Sequence, residues 1–270
     1  MPYDALSGRT PAWWLPGKKP GRIHAVELDP QGKLREGLLS CILFQTGPWQ
    51  RDFAQPQRTF TKGGSGTVTY ADSPFGGTLT TASNTYLSVS LPVQTPGAWT
   101  DSCLVRFNAT NPFDACFFAT DGANNQFFSI SGPSAPAPGS LAFNGTNIAV
   151  GAFRAINYTG WHRITCTASA GGAGSTGIFY LDGKLVGTGT LFAGVSQFAA
   201  LMGDAGRSNI FTNFPIADHF LWGYALSAAQ VMQHYISPYR TVLRPKFSEL
   251  GRVGPMVTRR PSLLTTGVGP

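Results

Sequence analysis

Residues 177–187 read GIFYLDGKLVG. An apolar run at 178–181 enters Asp182-Gly183, and a second run at 184–186 leaves it. A type I′ turn needs positive φ at both central residues, and Asp-Gly is one of the few pairs that accept it. The stretch therefore predicts a two-residue β-hairpin with its tip at 182–183.

The sequence around the hairpin carries the same signature. GLLSCILF (37–44) reads as a buried strand, and GTVTYA and NTYLSVSLPV alternate with period two. In WTDSCLVRF (99–107), Trp99, Asp101, Cys103, Val105 and Phe107 fall on one face. ACFFATDG, QFFSISG, SLAFNG, NIAVGAF, WHRITCTAS, FAALMGD and IADHFLW follow, most of them closed by turn residues. About a dozen short strands at this spacing predict an all-β antiparallel sandwich, a jelly roll. One helix interrupts the pattern. Ser227 with Gln230 three residues later is a capping box, predicting a helix over 228–236 with Val231, His234 and Tyr235 on one stripe.

Composition agrees. Of 270 residues only 12% are charged, against 33 Gly and 20 Pro, and Glu occurs only at 27, 36 and 249. That is a profile of turns and strands rather than of solvated helices. The net charge of +7 is uneven: +2 over 1–40, zero over 41–239 and +5 over 240–270. The flanks are rich in Pro and lack an amphipathic period, so residues 1–37 read as an extended arm and 240–270 as a basic tail, with the sandwich at 38–239. Trp13 and Trp14 are expected to pack on a surface rather than stay in water. Cys41, Cys103, Cys116 and Cys166 show no zinc spacing and are expected as free thiols in a reducing cytoplasm. The three Asn-x-Thr sequons are then chance matches. No export signal and no membrane span are read.

The order of Gly160-Trp161-His162, the Tyr180-Leu-Asp-Gly-Lys184 hairpin, a Gly-containing strand, a last strand ending in Trp222 and an Ala-Leu-Ser-capped helix resembles the concanavalin A-like, laminin G-type jelly rolls. The likeness is close over 160–236 and loose over 40–159. The flanking WWLPGKKPGRIHAVELDPQGKLREGLLSCILF resembles the N-terminal arm of tailed-bacteriophage structural proteins that carry this fold, and SPYRTVLRP resembles their C-terminal exit. The resemblance implies a virion protein, made in the host cytoplasm, that decorates or stabilises a capsid. Its partners would be the major capsid protein or other virion subunits, with homo-oligomers in the assembly. Trp13, Trp14, Lys18, Lys19, Arg240, Arg244, Lys246, Arg252, Arg259 and Arg260 would make those contacts. A carbohydrate-binding adsorption protein is the alternative, with a glycan as partner. Membrane and nucleic acid are not expected.

Catalytic machinery is not legible. Glycoside hydrolysis needs two carboxylates flanking the scissile bond, yet no Glu occurs between 37 and 248. No Gly-x-Ser-x-Gly elbow exists, GGAGSTG lacks the Lys of a phosphate loop, and His219 and His234 have no metal spacing. His162 reads as packed or hydrogen-bonded. Laminin G-type relatives often hold calcium at one rim. Asp121 and Asn124, and Asp204 and Asn209, offer oxygen ligands for it, but both stretches read better as Asx-turns. No enzyme activity, cofactor or metal is expected.

Overall fold

In the computed structural model the described residues are 26–45, 47, 50–81, 85–88, 97–107, 115–119, 127–130, 141–143, 146–147, 160–170, 176–190, 200–201, 203–204, 207–211 and 214–245. They form an antiparallel sandwich. The larger sheet contains β2 (Leu38–Leu43), β4 (Val68–Ser73), β5 (Gly76–Thr81), β7 (Trp99–Phe107), β12 (Gly160–Ala168), β13 (Thr176–Leu181), β14 (Lys184–Thr190) and β18 (Ile216–Trp222). Its order is β14-β13-β12-β7-β18-β5-β4, with β2 also paired to β18. The facing seven-stranded sheet is built from shorter strands, β3 (Thr61–Gly64), β6 (Thr85–Ser88), β8 (Ala115–Ala119), β9 (Phe127–Ile130), β10 (Leu141–Phe143), β11 (Thr146–Asn147) and β15 (Ala200–Leu201). The expected fold class is therefore present.

The hairpin that decides the fold is built as predicted. Asp182 has φ 51° and Gly183 φ 76°, and Leu181 pairs with Lys184 across the turn. A one-residue bulge follows, so that Phe179 lies opposite Gly187. The extra residue increases local twist, as bulges do.

Alternation along β7 and β12 divides the larger sheet into two faces. Trp99, Cys103, Val105, Phe107, Ile164, Cys166 and Phe179 point to the sandwich core, where they meet Leu79, Phe214 and Leu221. Cys41, Cys103 and Cys166 are free and buried, and burial pushes their thiols well above the usual range.

The opposite face is not left to water. Phe220, Trp222, Cys41, Leu43 and Tyr180 on that side pack against Val26, Leu34, Leu226, Val231, Tyr239, Val242 and Leu243. This third layer consists of α1 (Ala228–Ile236) and the two flanking segments. The incoming strand β1 (Val26–Leu28) pairs antiparallel with β19 (Leu243–Pro245), Val26 opposite Pro245. The described parts of the two flanks, 26–37 and 240–245, are thus layered onto the sheet. Short runs such as Val26-Glu-Leu28 carry no periodicity, which is why they read as arm.

The helix begins as its capping box requires: the Ser227 hydroxyl accepts from the Gln230 N–H, and the Gln230 side chain accepts from the Ser227 N–H. Its stripe is narrower than expected. Val231 and His234 are buried, whereas Tyr235 is 40% exposed at the border with the 182–183 turn.

Candidate functional site

Three polar clusters sit within the larger sheet, and each is committed to the fold. On the face covered by α1, the Arg163 guanidinium donates to Asp218 at 2.7 Å, to Ser102 at 3.3 Å and toward His234 Nε2 at 3.3 Å. Tyr239 donates its hydroxyl to Asp218 at 2.6 Å, and the Leu104 N–H donates to the same carboxylate. Burial opposes the Arg163 charge, but Asp218 and Tyr239 beside it hold its pKa above the ordinary value. Burial, then Arg163, keep His234 well below the usual imidazole range, so it is neutral. In the sandwich core His219 Nε2 lies 2.5 Å from Asp101 Oδ2, and burial raises the Asp101 carboxyl against the pull of His219. Near β2, Asp52 accepts from Ser40, from the N–H groups of Cys41, Ala54 and Gln55, and from Arg58. These carboxylates are at most 1% exposed, so a substrate cannot reach them.

The rim where β7 ends and β12 begins is different. His162 Nδ1 lies 2.7 Å from Asp182 Oδ2, and the His162 ring stacks on Phe107 with centroids 5.8 Å apart. Asp182 Oδ1 accepts the Arg163 N–H at 2.9 Å, which ties the hairpin tip to β12. Both side chains keep partial exposure, 19% for His162 and 28% for Asp182. Trp161, the residue before His162, points to the opposite face by strand alternation. It meets Phe75 edge-on, with centroids 5.3 Å apart and planes at 65°. Phe75 reaches it from the β4–β5 turn. Because β2 takes the edge of β18 from Asp218 onward, β5 pairs with β18 only at Leu79–Ile216. Both rings are half-buried, and Arg106, directly opposite Trp161 on β7, is exposed.

The expected contact residues are distributed otherwise. Arg244 is paired within the chain: its guanidinium meets Glu27 at 3.0 Å across the β1–β19 pair. Arg240 is half-buried beside the same ribbon. Trp13, Trp14, Lys18, Lys19, Lys246, Arg252, Arg259 and Arg260 lie outside the described residues, as do Asp121 and Asn124. Asp204 falls in β16 (Gly203–Asp204), opposite Arg207, and Asn209 in β17 (Arg207–Phe211); their side chains lie outside the description. Among the described residues no group of three or more His, Cys, Asp or Glu is placed to hold a metal. No described helix is long and apolar enough to cross a membrane. Sequence reading passed over Phe75 and Arg106, because only strand register and the β4–β5 turn bring them to Trp161.

A laminin G-type family model, described as concanavalin A-like lectin/glucanases superfamily, matches residues 80–232, more than half of the chain. The chain belongs to this superfamily. No curated protein sequence matches it. Among solved structures, domain 4 of AbnA, a GH43 extracellular arabinanase from Geobacillus stearothermophilus in complex with arabinotriose, superposes with TM-score 0.56. Identity is 16%, over 74% of this chain and 98% of that domain. A structure of botulinum neurotoxin type C, whose uptake into cells depends on two ganglioside molecules, gives 0.53 at 12% identity, over 75% and 51%. The binding domain of Paraclostridial Mosquitocidal Protein 1 gives 0.51 at 14%, over 75% and 52%. This superfamily member therefore spans nearly all of the arabinanase domain and about half of the toxin chains. The likeness is one of fold.

Proposed function

We propose that this chain is a non-enzymatic glycan-binding module. The observation that carries the reading is the rim. A half-buried aromatic pair, Phe75 and Trp161, stands by the exposed Arg106 on one face of the sheet, with His162 and its partner Asp182 at the same strand end on the other, while the carboxylates deeper in the sheet are sealed and paired. Aromatic rings bury the apolar C–H faces of sugars, and a few fixed polar groups set orientation. Glycosidases need instead two reachable carboxylates across one sugar. The superposing arabinanase domain with its bound arabinotriose supports the same reading at the level of fold analogy. A glycan array probed with the full chain tests it. Binding without release of reducing ends is expected. An array without hits overturns the reading, and turnover of any hit overturns its non-enzymatic part.

One observation favours a second reading, a structural protein of a virus particle held to capsid subunits by its ends. Val26 pairs with Pro245, so the preceding and following segments leave from one corner of the fold. Residues 1–25 and 246–270 each hold four Lys/Arg and one acidic residue, 4 − 1 = +3 apiece, against +1 for residues 26–245. Two basic segments starting together suit an acidic protein surface. Mass spectrometry of purified particles tests this reading, and absence of the chain from them ends it.

A further inference from the structure

We propose that Arg106, Trp161 and Phe75 form a site for an acidic sugar, a pyranose bearing a carboxylate; the proposal rests on the glycan-binding reading above. Arg106 and Trp161 are direct partners across the β7–β12 ladder, so their side chains rise from the same face as neighbours, with Cβ atoms about 5 Å apart. Arg106 is exposed, and among the described residues no carboxylate pairs with it. The next cation along that face is Arg163, already matched by Asp218 and closed off from water. The nearby carboxylate of the hairpin, Asp182, is taken by His162 and the Arg163 N–H. Among the described residues Arg106 is therefore the open cation of this rim. Its guanidinium presents a rigid fork of donors that fits a carboxylate bidentately.

The aromatic half of the site is pre-set. Ser73 Oγ accepts the Phe75 N–H at 3.1 Å and donates to the Gly76 carbonyl at 2.7 Å, which fixes the turn that carries Phe75 against Trp161. The Arg106 N–H donates to the Pro215 carbonyl at 2.9 Å and holds the strand end in place. A ligand meeting this surface needs an apolar face for the rings and an anion for Arg106, and an acidic pyranose supplies both on one small ring. Little ordering is required on binding, since both elements are already fixed.

The test is calorimetric titration of the full chain with 3′-sialyllactose and tri-galacturonic acid, against lactose and arabinotriose as neutral probes. The variants are Arg106→Gln and Trp161→Ala, each checked for an unchanged melting temperature. At least one acidic probe should bind ten-fold or more tightly than the neutral ones and weaken with added salt. Arg106→Gln should remove that preference, and Trp161→Ala should weaken all probes. Should Trp161→Ala unfold, Arg106→Gln decides alone, because Arg106 lies on the surface. Equal binding of acidic and neutral probes, or an acidic preference that survives Arg106→Gln, overturns this site while leaving the glycan reading intact. Binding to no sugar, here or on the array, overturns both.

Discussion

Trp222, at the end of the last long strand, donates its indole N–H to the carbonyl of Leu34, 188 residues earlier in the chain, at 2.7 Å. A buried indole N–H needs an acceptor, and the incoming segment supplies it. In return Leu34 and Val26 are sealed against Phe220 and Trp222, at 1% and 0% exposure. The segment before the first sandwich strand is therefore part of the folded unit rather than a loose lead.

The position of a C-terminal cut should decide stability. A chain ending at residue 240 loses Thr241, Val242 and Leu243, all buried, together with the partner strand of β1. It should melt far lower than the full chain or fail to fold. A chain ending at Pro245 should keep its melting temperature. Leu34→Ala should cost about 2–5 kcal/mol, the range for emptying a buried leucine site. Thermal denaturation of the three proteins checks this.

Gly183→Val should destabilise for two reasons. The φ of +76° resists a β-branched side chain, and a Cβ there would stand 3.0 Å from Met232 Sδ and 3.1 Å from Tyr235 Cβ. We expect a loss of about 2 kcal/mol or more, since strain and overpacking add. Denaturant unfolding measures it, and an unchanged midpoint would show that the hairpin tip does not bear on α1.

Arg163→Met should cost about 3–5 kcal/mol, because it strands the Asp218 charge in the sheet. The double variant Arg163→Met, Asp218→Leu should recover part of the loss. A single variant as stable as the parent would mean that the pair carries no net coupling.

Acid should loosen the helix. His234 packs on Phe220 and Trp222 and faces Arg163 on β12, with Asp218 of β18 and Tyr239 of the exit segment joined to the same network. Its pKa is lower in the fold than in the unfolded chain, so the unfolded chain takes up the proton first. The stability this group contributes is fully present above about pH 6.5 and declines as pH falls below it toward the depressed value. Asp101 acts in the opposite sense at lower pH, since burial raises its carboxyl and protonation favours the fold. Melting temperatures between pH 7.5 and 5.5 should fall for the parent and stay flatter for His234→Gln.

What the sequence determined by itself was local or periodic. Asp182-Gly183 dictates its turn through the φ angles it tolerates, Ser227 and Gln230 dictate the helix start, and the period-two run 99–107 dictates which side chains meet the core. These features follow from one stretch of chain and need no partner. Strands such as Thr61–Gly64, which reads TKGG, show no such period and exist because a neighbour supplies hydrogen bonds. Only the tertiary structure decided that the sheet has a second covered face. Val26–Leu28 is too short to bury its apolar surface alone, and it becomes ordered because Leu243–Pro245 and Trp222 complete it from more than 180 residues away. The rim has the same origin. Arg106, Phe75 and Trp161 are separated in sequence, and strand register and the β4–β5 turn place them together.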